Sequence, residues 1–304
     1  MASSRILVIG GTGRLGRHLV TASLDAGHPT AVLVRRPATA GARADSPVKA
    51  KLIEELCDNG ARLVYGDVND HDILVAAIKN ADVVICAVGH TTPHKLVENQ
   101  IKIMEAIRDA GNVKLAEQML EPARSILGAK LRVREALRAS GIPHTIVCGY
   151  LVHGFLLPKA GNPEADGPPV TTATISGDGK QKAMFVDEKD MSAVTIKAEE
   201  DPRTVDKILY VQPPANLCSL NQLVSVLEKK IGRDLEKCYV PEEELAIKIE
   251  AASPFPLNFQ LAIVHSALLP GVASCGQTAV RVEATELYPD MEYVTVEEYI
   301  DGLI

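Results

Sequence analysis

The chain has no tryptophan, and its few tyrosines and phenylalanines make up only 4% of 304 residues. Its core must therefore be aliphatic. With 46% hydrophobic residues it can bury one large core, or one core and a smaller satellite lobe. No apolar run approaches the roughly 20 residues that cross a bilayer. Met1 leads almost directly into Ile6-Leu7-Val8-Ile9, without a charged leader region, a long apolar stretch or a cleavage site, so a cytoplasmic protein is expected. Positive charge is not in excess. A net charge of −7 and a pI near 5.7 argue against nucleic acid or an anionic membrane as the main partner. None of the six cysteines (Cys57, Cys86, Cys148, Cys218, Cys238, Cys275) lies in a C-x-x-C pair, so no zinc or redox motif is written and no metal is expected. Scattered cysteines of this kind read as reduced, small core residues. Internal repeats and low-complexity segments are absent as well.

What is present is alternation. Ile6 to Ile9 is a continuous branched-aliphatic run, the pattern of a strand buried on both faces of a parallel sheet. A helix follows from about Leu15 to Ala26, with Leu15, Leu19 and Val20 on one side. Strands are expected at Thr30–Val34, Leu63–Tyr65, Val83–Val88 and His144–Val147. Helices are expected at Ala50–Asn59, Asp72–Lys79, Leu96–Ala110 (Ile101, Ile103, Met104 and Ile107 as core positions) and Ile126–Ala139. Repeated β-α-β units with short connections imply right-handed crossovers. The pattern then changes. Pro158 to Pro169 reads as a long surface loop or boundary, and beyond it lie shorter strands and helices. The expected class is α/β: a doubly wound parallel-sheet Rossmann domain over 1–157 and a smaller C-terminal α/β substrate lobe over 158–304. The later chain is allowed to return to the Rossmann sheet.

Gly10-Gly11-Thr12-Gly13-Arg14-Leu15-Gly16 carries the strongest local signal. It follows the first strand and opens the first helix. Backbone N–H groups at a helix N-terminus accept a pyrophosphate, provided no Cβ keeps the backbone away, and the last glycine lets helix and strand pack closely. A bare glycine triplet is weak evidence, because a tight turn needs glycine too; its place between first strand and first helix makes it specific. The second strand ends in Val34-Arg35, where an enzyme binding NAD would carry an acid for the ribose hydroxyl. A guanidinium pairs instead with a 2′-phosphate, which favours NADP(H). Lys49, just before the expected second helix, could add a second positive charge or could equally be solvated surface charge, a reading that fits Arg35 less well. Gly89, ending the fourth strand, could pass the backbone beside the cofactor or simply terminate the strand.

Typical short-chain reductases place a Tyr four residues before a Lys on one helix. Lys130 is the obvious lysine here, but Ile126 stands four before it. Arg134 lies one turn later on the same helical face. Gly10 to Gly16, Leu33-Val34-Arg35, Gly66-Asp67, Glu121-Pro122-Ala123-Arg124, Gly128-Ala129-Lys130, Gly177-Asp178-Gly179, Asp201-Pro202-Arg203-Thr204 and Tyr239-Val240-Pro241-Glu242 together resemble the plant isoflavone reductase-like family. That family belongs to the NmrA-like atypical short-chain reductases, and includes phenylcoumaran benzylic ether, pinoresinol–lariciresinol and isoflavone reductases. The resemblance covers nearly the whole chain. It implies NADPH as hydride donor to a phenylpropanoid-derived aromatic substrate, Lys130 as general acid/base, Arg134 as a cofactor contact, Arg35 and Lys49 as 2′-phosphate contacts, and a homodimer.

On the substrate side, Cys148 to Phe155 follows the strand after the helix of Lys130, which makes Tyr150 and His153 candidates for lining the cleft. His265 matches a family histidine near the substrate, though a lone histidine in an apolar run is often a core residue. One departure bears on activity. Relatives carry a longer segment after the position of Lys114, with a Pro-Ser-Glu-Phe-Gly stretch bordering the nicotinamide, whereas here Lys114 runs through Leu115-Ala116-Glu117-Gln118-Met119-Leu120 straight to Glu121. Losing a group that keeps water from the hydride path predicts impaired turnover. It also leaves open a second reading, a non-catalytic NADP(H)-binding sensor or scaffold.

Overall fold

The computed structural model describes residues 3–36, 47–88, 93–110, 114–120, 124–251, 257–268 and 281–303. For 93–97, 114–120, 124–131, 250–251, 258–259 and 266–268 the description covers the backbone alone. The chain opens with β1 (Ile6–Ile9), α1 (Arg14–Asp25), β2 (Thr30–Val34), α2 (Pro47–Asp58), β3 (Arg62–Tyr65) and α3 (His71–Ile78). Next come β4 (Val83–Cys86), α4 (Pro93–Ala110), β5 (Lys114–Leu120), α5 (Arg124–Ser140) and β6 (His144–Gly149). β7 (Leu151–Val152), α6 (His153–Leu156), β8 (Thr172–Ser176), β9 (Lys182–Val186), α7 (Glu188–Glu200) and β10 (Lys207–Tyr210) follow. The last stretch holds β11 (Leu217–Ser219), α8 (Leu220–Ile231), β12 (Glu236–Val240), α9 (Glu242–Ala251), α10 (Leu257–Leu268), β13 (Arg281–Glu283), α11 (Ala284–Leu287) and α12 (Val296–Asp301).

These elements divide into two compact units whose segments interleave along the chain. Unit 1 takes Met1–Met119, Gly128–Val147 and Ser192–Leu209; unit 2 takes Leu120–Leu127, Cys148–Met191 and Tyr210–Ile304. Unit 1 holds a sheet with strand order β10-β6-β5-β4-β1-β2-β3. β1 pairs in parallel with β2 and β4, Val8 lying opposite Val32 on one side and Ile85 on the other. β2–β3 and β4–β5 are parallel too. Every residue of β1, β2 and β4 is buried, as uninterrupted aliphatic runs require when helices cover both faces. Ile6, Val8, Leu19, Val20, Val32 and Ile85 form the centre of this core, and Ile196 of α7 joins them from far along the chain. Such a sheet places its ligand crevice at the carboxyl ends of the strands, where the order reverses beside β1.

Unit 2 contains the three-stranded sheet β11-β9-β7 and the parallel pair β12–β8. Phe185, Ile175, Leu223 and Val224 sit in its core. A capping box starts α8, where Ser219 Oγ accepts from Gln222 N at 3.2 Å and Gln222 Oε1 accepts from Ser219 N at 3.0 Å. Glu242, Glu243 and Glu244 occupy the first turn of α9 directly after Pro241, in accord with the helix dipole.

Several expectations need correction. α2 begins at Pro47, so Lys49 lies inside its first turn, not before it. Ile101, expected in the core, is exposed, while Ile103, Met104 and Ile107 are buried. The period of α4 points Ile103 and Ile107 inward together, which turns Ile101 away. β5 was not expected, because Lys114–Leu120 mixes charge and apolar residues without strand periodicity. The Pro158–Pro169 stretch is not wholly surface: Ala160 and Gly161 are buried, and a Cβ on Gly161 would lie 2.5 Å from Leu220 Cδ2. Among the cysteines, Cys86, Cys148 and Cys218 are buried, but Cys57 and Cys238 are exposed, and Cys275 lies outside the described residues. Among the described residues, no helix is long and apolar enough to cross a membrane.

Candidate functional site

The turn between β1 and α1 can exist only with glycine. Gly10 has φ +90°, and a Cβ there would lie 2.6 Å from the carbonyl oxygen of Ala87. A Cβ on Gly16 would overlap the carbonyl oxygen of Gly10, and one on Gly11 would lie 2.6 Å from Val32 Cγ1. The turn is closed by Gly13 N donating to Gly10 O at 2.9 Å. Gly13 caps α1 without a side chain, so the N-cap residue itself offers no side-chain acceptor to the first-turn N–H groups of that helix. This is the helix end that attracts anions.

A cavity of about 370 Å³ opens on this turn within unit 1, lined by Gly10, Thr12 and Gly13 together with Arg35 and Lys49. Arg35 is exposed at the carboxyl end of β2 and Lys49 is half-buried. A cation in a helix's first turn opposes the dipole, and α2 has no acid in that turn to compensate. Two cations beside a glycine cradle are suited to an anion of more than one phosphate group.

The cavity wall also includes residues that sequence reasoning missed as site residues: Asp67, Val68 and Asn69 after β3, Val88 after β4, and Asn99 of α4. Asp67 Oδ1 accepts from the Asn69 backbone N at 2.9 Å, and Lys102 Nζ donates to Asn69 Oδ1 at 2.7 Å. The signal that could have found them is positional, since every loop at a strand's carboxyl end near the switch point faces the crevice.

The remaining expected cofactor residues are disposed differently. Gly11 and Gly16 shape the turn from behind, Leu15 packs partly buried against the sheet core, and Arg14 is exposed; none of the four lines the cavity. Gly89 lies outside the described residues. Lys130 and Arg134 both fall on α5, one turn apart, and Arg134 is buried. β5 ends at Leu120 and α5 begins at Arg124, so only 121–123 connect them.

The three expected substrate residues belong to unit 2. Tyr150 faces the ring of Tyr210, with centroids 6.4 Å apart. His153 is fully buried, edge-on to Tyr299 at 5.0 Å, with Nδ1 3.8 Å from Asp187 Oδ2. Burial pushes its imidazole down to about 4 against the pull of Asp187. His265 lines a cavity of about 780 Å³ with Tyr239, Asn221, Lys180 and Leu245, and its Nε2 lies 3.3 Å from Glu242 Oε1. His153 and His265 therefore sit in different surroundings, one in packed core and one at an open cavity.

Comparison with known proteins agrees with this architecture. The model of the NmrA-like family matches residues 2–300. The chain is 44% identical to eugenol synthase 1 of Petunia hybrida, covering 98% of this chain and 97% of that protein. It is 43% identical to phenylcoumaran benzylic ether reductase PT1 of Pinus taeda, over 99% of each. Among solved structures, isoflavone reductase superposes with a TM-score of 0.88 at 38% identity over all of both chains. Leucoanthocyanidin reductase from Vitis vinifera, in its binary complex with NADPH, superposes at 0.87 with 31% identity over 98% of this chain and 99% of that one. A glycine cradle, paired cations after β2 and a match running almost end to end leave one assignment: the chain belongs to the NmrA-like family, in its isoflavone reductase-like branch.

Proposed function

We propose that this protein is an NADPH-dependent reductase of phenylpropanoid-derived aromatic substrates of the lignan, phenylcoumaran or isoflavonoid type. The observation that carries the reading is the meeting of Arg35 and Lys49 on the cavity that the Gly10–Gly16 turn opens. A turn of this kind accepts a pyrophosphate, and two cations beside it distinguish a phosphorylated ribose from a bare one. The cavity suits the adenosine end, with Asp67 and Asn69 as polar partners. The relatives' names supply the substrate class: each acts on, or is named for, an oxygenated aryl compound.

When bound, NADPH supplies the hydride that is added to a carbon of the substrate. The chain's own task is then to manage the proton on the oxygen that becomes negative. Lys130 is the general acid/base in this reading. A lysine's reference pKa near 10.4 must fall for it to exchange protons near neutrality, which a neighbouring cation or a dry site achieves. Arg134, one turn along α5, is a cofactor contact that would also add positive charge near Lys130. Tyr150 and His265 are the substrate-contacting candidates. His153 has no hydrogen-bond partner for either ring nitrogen among the described residues and acts through packing.

NADPH oxidation followed with a panel of phenylpropanoid dimers and isoflavones tests this. Turnover of at least one member is expected, lost on Lys130→Ala with NADPH affinity retained. Tight NADPH binding without turnover on any member would overturn the reductase reading in favour of a binding-only protein.

A further inference from the structure

The carboxyl end of α7 carries two acids, Glu199 and Glu200, at a helix terminus whose partial charge disfavours anions. Within unit 1 they meet His28, from the turn between α1 and β2. A ring nitrogen of His28 and one oxygen from each carboxylate all lie within 4.8 Å of one another. His28 is 4% exposed and Glu199 8%, while Glu200 faces solvent. Nδ1 of His28 and Oε2 of Glu199 are buried without a hydrogen-bond partner among the described residues. Buried imidazole and carboxylate atoms of this kind normally find partners. Here each belongs to a residue of the cluster, and neither makes a hydrogen bond to the other.

Both arms are held in place. His28 N donates to Ser23 O at 3.0 Å, and Thr30 Oγ1 donates to His28 O at 2.8 Å. On the other side Thr204 Oγ1 donates to Ala198 O at 2.8 Å, and Thr145 Oγ1 donates to Thr204 O at 3.0 Å. The backbone on both sides is therefore fixed, and of the three side chains only Glu200 reaches in from the surface.

We propose that His28, Glu199 and Glu200 bind a divalent transition-metal ion of the zinc type, with water completing its coordination on the exposed side. One imidazole and two carboxylates suit zinc, manganese or cobalt, whereas magnesium and calcium prefer oxygen alone. Metal–ligand bonds of about 2.0–2.2 Å set ligand atoms some 3–4 Å apart, so separations of up to 4.8 Å close by at most about 1–2 Å on binding. The ion offsets the acids at the end of α7 and ties that helix to the turn preceding β2. This is the amino-terminal end of β2, whereas Leu33, Val34 and Arg35 at its carboxyl end line the candidate cofactor cavity, so the metal is structural. No sequence motif announced it, because His28 stands far from Glu199 and Glu200 in the chain.

Calorimetric titration of chelator-treated, full-length protein with zinc ion tests the proposal, in a Cys57→Ser/Cys238→Ser background because exposed thiols also bind zinc. One equivalent is expected to bind and to raise Tm by about 3 °C or more at saturation. His28→Asn should abolish the uptake. Glu200→Gln, at an exposed position that the fold tolerates, should weaken it at least about tenfold, and an NADPH titration of the same variant verifies that it is folded. Absence of zinc uptake in the doubly substituted chain, or affinity unchanged by Glu200→Gln, overturns the site.

Discussion

In the proposed function, Arg35 and Lys49 would carry the discrimination between coenzymes. A charge-assisted contact to a phosphate contributes about 1.5–3 kcal/mol. Arg35→Ala is therefore expected to weaken NADPH binding about 10- to 100-fold while changing NADH binding little, as fluorescence titration of both coenzymes would measure. An equal loss for both would place Arg35 outside the phosphate site. The place of Arg35 at the end of β2 was legible in the sequence, because the aliphatic run of the strand stops at Val34. Lys49 was legible as a charge but not as a position, since only the early start of α2 brings it into the first turn. Buried acids were not legible at all. Asp190 accepts from Val294 N at 2.7 Å, and burial raises its carboxyl from 3.8 to about 6. Neighbouring Asp187 and Glu298 add to the rise, Lys189 opposes it, and Glu283 is pushed up to about 7 in the same unit, again by burial. The folded state thus holds the Asp190 proton more firmly than the unfolded chain does. The stability this provides is complete below about pH 4 and is lost as pH rises through 6. Asp190→Asn keeps an acceptor for Val294 N, so it should gain on the order of 1 kcal/mol at pH 8 and almost nothing at pH 4. A Tm profile showing the same change at both pH values would refute this account.

Between residues and molecule lie the elements, and here the sequence was most readable where packing is simplest. β1, β2 and β4 are unbroken aliphatic runs, and burial on both faces is the only structure that uses them. β5 escaped notice because its Lys114–Leu120 stretch carries polar residues and no alternation; its place comes from pairing with β4, a tertiary cause that local pattern does not record. The same element bears on catalysis. With three residues between β5 and α5, the chain has no room there for the Pro-Ser-Glu-Phe-Gly stretch of the isoflavone reductase-like family. If that stretch shields the hydride path, inserting it together with its flanking residues after Leu120 should raise kcat at least about tenfold and leave NADPH affinity unchanged. Single-turnover kinetics on the grafted and parent chains would decide it. A graft that folds, binds NADPH and turns over no faster would show that the short connection costs nothing.

At the scale of the whole chain, the sequence suggested a boundary near 157 because Pro, Gly and charge accumulate beyond it. Composition reports where the chain is irregular, but not where it returns. Ser192–Leu209 belongs to unit 1 although it follows that boundary, and two of its contributions are structural. Ile196 is buried in the aliphatic core with Ile6, Val8 and Val32. β10 lies beside β6, where Asp206 N donates to His144 O at 2.6 Å. Thr204 also accepts from buried Thr145, so this return crosses the core edge with polar as well as apolar contacts. A fragment ending at 157 keeps the glycine turn, Arg35 and Lys49, yet it loses Ile196 and leaves β6 as an unprotected edge strand. Removing one large buried aliphatic side chain costs about 2–5 kcal/mol, a large share of the total stability of a domain. Exposed pairing groups on β6 add a tendency to aggregate. The 1–157 fragment is therefore expected to aggregate or to lack a cooperative melting transition, and to bind NADPH at least about 100-fold more weakly than the full chain. Extending it through Leu209 should not restore full affinity either, since the longer fragment carries residues 148–191 of unit 2 without the rest of that unit's core. Circular dichroism melts and NADPH titrations of the two fragments measure both statements. A monomeric 1–157 fragment that melts cooperatively and binds NADPH as the parent does would show that the return of α7 and β10 is dispensable to the nucleotide site.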